Sequence, residues 1–92
     1  MKVINEQSRP ALARGVRLQK DATTGEPMLM YPEGVLYLSS TAHAIISRCN
    51  GQLNVAGIVL SLARDYEVDR ETLRRDILHC LIDLHQRKLL VF

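Results

Sequence analysis

The spacing of hydrophobic positions changes once along this chain, near residue 39. Before that point the pattern is that of short strands. Gly15-Val16-Arg17-Leu18-Gln19-Lys20 has a period of two, the mark of a half-buried strand. Asp21-Ala22-Thr23-Thr24-Gly25-Glu26-Pro27 is a turn by composition. Two short apolar runs follow, Met28–Tyr31 and Val35–Leu38, joined by Tyr31-Pro32-Glu33-Gly34. Proline presets φ for the second position of a type I or II turn and glycine suits the fourth, so the two runs are predicted to form a tight hairpin. Three strands in sequence with short turns make an antiparallel meander. Residues 1–14 are polar, contain Pro10 and are expected to form a loose arm.

The hairpin is apolar on both faces: Met28 and Met30 point one way, Leu29 and Tyr31 the other. Both faces need cover. The rest of the chain supplies one, so the second face or the open edge of the third strand is where a partner is expected.

Beyond residue 39 the period becomes helical. Ser39 and Ser40 are good N-caps, Ala42, Ile45, Ile46 and Cys49 share a face, and Asn50-Gly51 ends the helix through a left-handed glycine. Asn54 caps a second helix whose stripe is Val55, Ile58, Val59, Leu62, Ala63 and Tyr66. Asp69 caps a third, with Glu71 at its positive end and Arg87-Lys88 at its negative end. That helix has two neighbouring stripes, Leu73, Ile77, Leu81 and Leu84 beside Leu78, Ile82 and His85, which implies contacts on two sides. The closing Leu89-Leu90-Val91-Phe92 is expected to return as a strand. The predicted fold is α+β, a three-stranded meander followed by a three-helix bundle, with the look of a winged helix-turn-helix.

At 92 residues the chain is expected to be one domain spanning 1–92 that buries roughly 60–65% of its unfolded surface. Twelve basic residues stand against ten acidic ones, too balanced for obligate nucleic-acid binding. The charge is uneven, because residues 1–20 hold Lys2, Arg9, Arg14, Arg17 and Lys20 against Glu6 alone. This segment is expected to attract acidic parts of a partner. No apolar run approaches the roughly 20 residues of a membrane span. Cys49 and Cys80 lie in helical stripes without framework spacing and read as reduced thiols of a cytoplasmic protein.

His79, Cys80, His85 and His43 do not share a face at ligand spacing, so neither a metal site nor another cofactor is expected. No Ser or Cys stands with a base and an orienting group, so the chain does not read as an enzyme. Arg70, Arg74 and Arg75 on the third helix suit a DNA-binding winged helix as the alternative, but residues 69–88 sum to only +1. Strand addition of an extended peptide to Val35–Leu38 fits the pattern, as does a homodimer exchanging hairpins.

The run Arg14-Gly15-Val16-Arg17-Leu18, then Asp21, Tyr31-Pro32-Glu33-Gly34, Leu38, Thr41-Ala42, Ile45 and Cys49-Asn50-Gly51, resembles the PqqD family of pyrroloquinoline quinone (PQQ) biosynthesis over residues 9–92. The resemblance implies a non-enzymatic peptide chaperone without a cofactor. It would bind the ribosomally made precursor PqqA and present it to the radical S-adenosylmethionine enzyme PqqE, which crosslinks a Glu and a Tyr in that peptide. It implies that the peptide pairs with the third strand and lies against the third helix. On this chain those elements are Val35, Leu36, Tyr37 and Leu38, with Leu73, Ile77, Leu78, Leu81 and Ile82. Ser39 and Asn50 depart from the family's usual Asn and Asp, and both substitutions keep a capping or turn role.

Overall fold

The computed structural model describes residues 3–92. The elements run β1 (Ala11–Leu12), β2 (Arg17–Lys20), β3 (Pro27–Tyr31), β4 (Gly34–Tyr37), α1 (Ser40–Ile46), α2 (Val55–Asp65), α3 (Arg70–Gln86) and β5 (Leu90–Val91). β2, β3 and β4 form the expected antiparallel meander, and three helices follow it. The α+β architecture is as the sequence predicts.

Cross-strand register explains why the meander faces the helices as it does. Leu18 pairs with Leu29 and Leu29 with Leu36, so three leucines form one row across the sheet. Leu29, at its centre, is fully buried among Ile45, Ile58, Ile77 and Leu81 of the core. The alternate residues take the other face. There Met28 pairs with Tyr37 and Met30 with Val35, and Val35 and Tyr37 are 43% and 54% exposed. The second apolar face expected from the sequence is therefore real, and no element of the chain covers it among the described residues.

Tyr31 pairs with Gly34, leaving Pro32 and Glu33 as a two-residue turn. Glu33 keeps a negative φ, which excludes a type II turn and leaves the type I form that proline favours.

The helix caps are those the sequence names. The side chains of Ser39, Asn54 and Asp69 accept from the amides of Ala42, Gly57 and Thr72. α1 ends earlier than the sequence suggests, at Ile46 with Ser47 as its C-cap, so Gly51, at φ +79°, shapes the loop beyond the helix and its amide donates to the Pro10 carbonyl. α3 ends in a Schellman motif, with Leu89 N–H donating to the Leu84 carbonyl and Lys88 N–H to that of His85. The left-handed position, φ 64°, is held by Lys88 and not by glycine.

The N-terminal segment corrects one expectation: residues 3–14 are docked, not loose. β1 pairs antiparallel with β5, Ala11 opposite Val91. The carbonyls of Ser8 and Glu6 accept from Val55 and Ala56, the first amides of α2, and the Pro10 carbonyl accepts from Gly51. Helix starts leave such amides without intrahelical partners, and the segment satisfies them. Ile4 is buried and adds to the same core. Lys2 lies outside the described residues.

Candidate functional site

β4 is one edge of the meander, and its hydrogen bonding can be worked out residue by residue. Leu38 N–H donates to the Pro27 carbonyl at 3.0 Å. In an antiparallel ladder, bonded pairs alternate with non-bonded ones. Leu36 with Leu29 and Gly34 with Tyr31 are then the other bonded pairs in the register. Val35 and Tyr37 consequently direct their N–H and C=O groups away from β3, along the open edge. The sheet offers a two-residue main-chain template to which no strand is paired among the described residues.

Tyr37 is fixed at one end of this edge. Its hydroxyl donates to Asp21 Oδ2 at 2.7 Å, across the outer face. The other oxygen of Asp21 accepts from the amides of Thr23 and Thr24, so the β2–β3 turn and the β4 edge are joined through one carboxylate. The hydrogen bonds from Tyr37, Thr23 and Thr24 hold the Asp21 carboxyl below its ordinary 3.8. The same Asp21 contact raises the Tyr37 phenol above 10.0.

α3 runs alongside this edge in the opposite direction. Asp76, in its first half, borders a cavity with Ser40 and Thr41, just beyond the end of β4. Arg87, just past its last turn, borders a depression with Tyr31, Pro32 and Glu33, just before β4 begins. At about 100° per residue, Asp76, Cys80, Asp83 and Arg87 share one flank, and this flank is turned to β4. The opposite flank carries Arg74, Leu78, Ile82 and His85. Arg74 reaches Glu6 at 3.7 Å, His85 Nδ1 lies 2.9 Å from the Leu90 carbonyl, and the His85 ring packs on Phe92. That flank faces the N-terminal segment and the C-terminus.

The residues proposed from the sequence are therefore divided. Val35 and Tyr37 present exposed side chains and free main-chain groups. Leu36 and Leu38 point inward and are half-buried against the core. Leu73, Ile77 and Leu81 are 7%, 0% and 0% exposed and belong to the core itself, so they support the groove from beneath without reaching its surface. Leu78 is half-buried and Ile82 is 40% exposed, both on the flank away from β4. Asp76, Cys80 and Asp83, which the sequence reading passed over, face the edge instead. An apolar stripe gave no signal for them; only the direction of α3 relative to β4 does.

Burial pushes the thiols of Cys49 and Cys80 up to about 12 and about 11. Both are free. Among the described residues no group of three or more His, Cys, Asp or Glu side chains is placed to hold a metal ion, and no helix is long and apolar enough to cross a membrane.

Comparison with known proteins places this geometry. A PqqA binding protein of Xanthomonas axonopodis pv. citri is 36% identical over 90 residues, covering 98% of each chain. The PqqD truncation of Methylobacterium extorquens PqqCD, a stand-alone recognition element for ribosomally synthesized and post-translationally modified peptides, superposes with a TM-score of 0.83. It is 30% identical and covers 98% of this chain and 96% of its own. TbiB1, solved in complex with the TbiA(beta) leader peptide, shares the fold with a TM-score of 0.74 at 24% identity, over 87% of this chain and 93% of its own. Residues 26–90, from the end of the first turn through the whole groove to β5, match the family Coenzyme PQQ synthesis protein D (PqqD), and the chain belongs to that family.

Proposed function

We propose that this chain is a precursor-peptide chaperone of PQQ biosynthesis, which binds PqqA as a strand added to β4 and presents it to PqqE. The observation that carries this reading is the open edge at Val35 and Tyr37, whose main-chain groups point outward beside a helix flank. An extended peptide gains main-chain hydrogen bonds at such an edge and side-chain specificity from the adjoining wall. The wall is the Asp76–Cys80–Asp83 flank of α3, floored by Leu36 and Leu38, and it takes the place of the Leu78–Ile82 stripe. A relative named as a PqqA binding protein and a fold neighbour solved with a leader peptide support the peptide-binding part of this reading. The rival reading as a DNA-binding winged helix loses one of its arginines, because Arg74 is engaged by Glu71 and Glu6.

NMR titration of labelled protein with a PqqA peptide tests the reading. Amide shifts concentrated at Val35, Tyr37 and the Asp76–Asp83 flank are expected. Shifts confined to Leu78, Ile82 and the C-terminus, or none, would refute it. Addition of PqqE to the preformed complex is expected to give a ternary species in sedimentation, and a peptide released on mixing would refute presentation.

A further inference from the structure

The two ends of the β4–α3 groove differ in charge and in shape. At the hairpin end, Arg14, Arg87 and Lys88 gather around Glu33. Arg87 is neutralised by Asp83 at 3.2 Å, whereas Arg14 and Lys88 have no ion-pair partner among the described residues. At the α1 end lies a cavity of about 240 Å³, walled by Ala44, Ile45, Leu62, Tyr66 and Leu73. Its rim carries Asp76, also without an ion-pair partner, and the neighbouring loop adds Glu67 and Asp69. Glu33 offsets only one of the two unpaired cations, so one end keeps a net positive charge, and the other is an apolar hole with a carboxylate at its mouth.

We propose that the groove fixes the direction of its peptide through these two ends. The peptide carries an acidic residue that meets Arg14 and Lys88, and at its other end an apolar side chain fills the cavity next to a cation that meets Asp76. The span sets the spacing. From Gly34 to Ser40 the backbone covers about 20 Å at extended geometry, and from Asp76 to Arg87 the helix rises about 16 Å. Five to six residues of extended peptide bridge that distance. Added antiparallel to β4, the peptide has its cationic, anchored end toward its own N-terminus. This inference rests on the strand-addition reading and adds the direction and the residue classes to it.

The test is calorimetric titration of the full chain with a PqqA peptide and with single-alanine copies of that peptide, at low and high salt. The protein variants are Val35→Pro, Asp76→Lys, Arg14→Glu with Lys88→Glu, and Thr41→Trp to fill the cavity from its exposed rim. Each charge reversal is expected to weaken binding about two- to five-fold at low salt, and less at high salt. The Asp76→Lys loss is expected to be non-additive with alanine at one basic peptide position. The Arg14/Lys88 loss is expected to be non-additive with alanine at an acidic position five to six residues away. Thr41→Trp is expected to weaken binding of the parent peptide and leave one apolar-to-alanine copy unaffected. If Val35→Pro weakens binding while the charge reversals and Thr41→Trp do not, the directional reading is wrong and strand addition stands. If Val35→Pro folds and binds normally, strand addition itself fails.

Discussion

Proline at two adjacent positions, Val35 and Leu36, separates the roles of β4 in folding and in binding. Leu36 N–H points into the sheet and its partner Leu29 is fully buried. Leu36→Pro removes the ladder bond, orphans a buried carbonyl and replaces a half-buried leucine. Together these cost about 3–5 kcal/mol, against a total stability of about 5–15 kcal/mol for a small domain. With a urea slope near 1 kcal/mol/M, the unfolding midpoint falls by about 3–5 M. Val35 N–H points outward, where proline is tolerated, so Val35→Pro is expected to cost under about 1 kcal/mol. For a peptide on the edge the order reverses. Val35→Pro removes one main-chain donor and leaves a peptide carbonyl unpaired, a loss of about 1.5–3 kcal/mol, or ten- to hundred-fold in affinity. Urea unfolding by far-UV circular dichroism and calorimetry with a PqqA peptide read the two effects. Equal destabilisation by both prolines, or a folded Val35→Pro variant with undiminished affinity, would refute the assignment of inward and outward amides.

Four further outcomes are expected. Deleting residues 1–9 strips Ile4 from the core and two partners from the start of α2, and should lower stability by about 3 kcal/mol; an unchanged urea midpoint would show that the segment is idle. Lys88→Gly relieves a left-handed lysine and should stabilise by about 1 kcal/mol, read as a rise of about 4–8 °C in melting temperature. Folded Asp21 titrates below its ordinary 3.8, so its contribution is present above that value and fades as pH falls through the lowered one. Tyr37→Phe should return the Asp21 pKa toward 3.8 in an NMR pH titration, and an unmoved value would break the link. Cys49 and Cys80, raised to about 12 and about 11, should react with a disulfide reagent at pH 8 at least about ten times more slowly in the folded protein than in urea.

Much of the fold is legible in the sequence because local signals agree. The change of period near residue 39 and the caps at Ser39, Asn54 and Asp69 all mark elements that exist. The docking of residues 3–14 is not legible, because the groups involved are the carbonyls of Glu6, Ser8 and Pro10, which every residue carries. The binding wall is illegible for a different reason. The stripes of α3 lie close together and are both apolar, so periodicity cannot choose the core; Leu73, Ile77 and Leu81, included in the peptide-binding set through the family resemblance, are interior. The flank toward β4 is polar, and a search for hydrophobic contacts passes over Asp76 and Asp83. The two-sided hairpin is the reverse case, in which the sequence stated correctly that one apolar face stays uncovered.

The pairing of β1 with β5 sets Ala11 against Val91, on the flank of α3 that faces away from β4. The C-terminal strand therefore stays on the far side of α3 and does not cross the open edge of β4. One flank of α3 is thus closed by the chain's own strands, and the other is left to the open edge of β4.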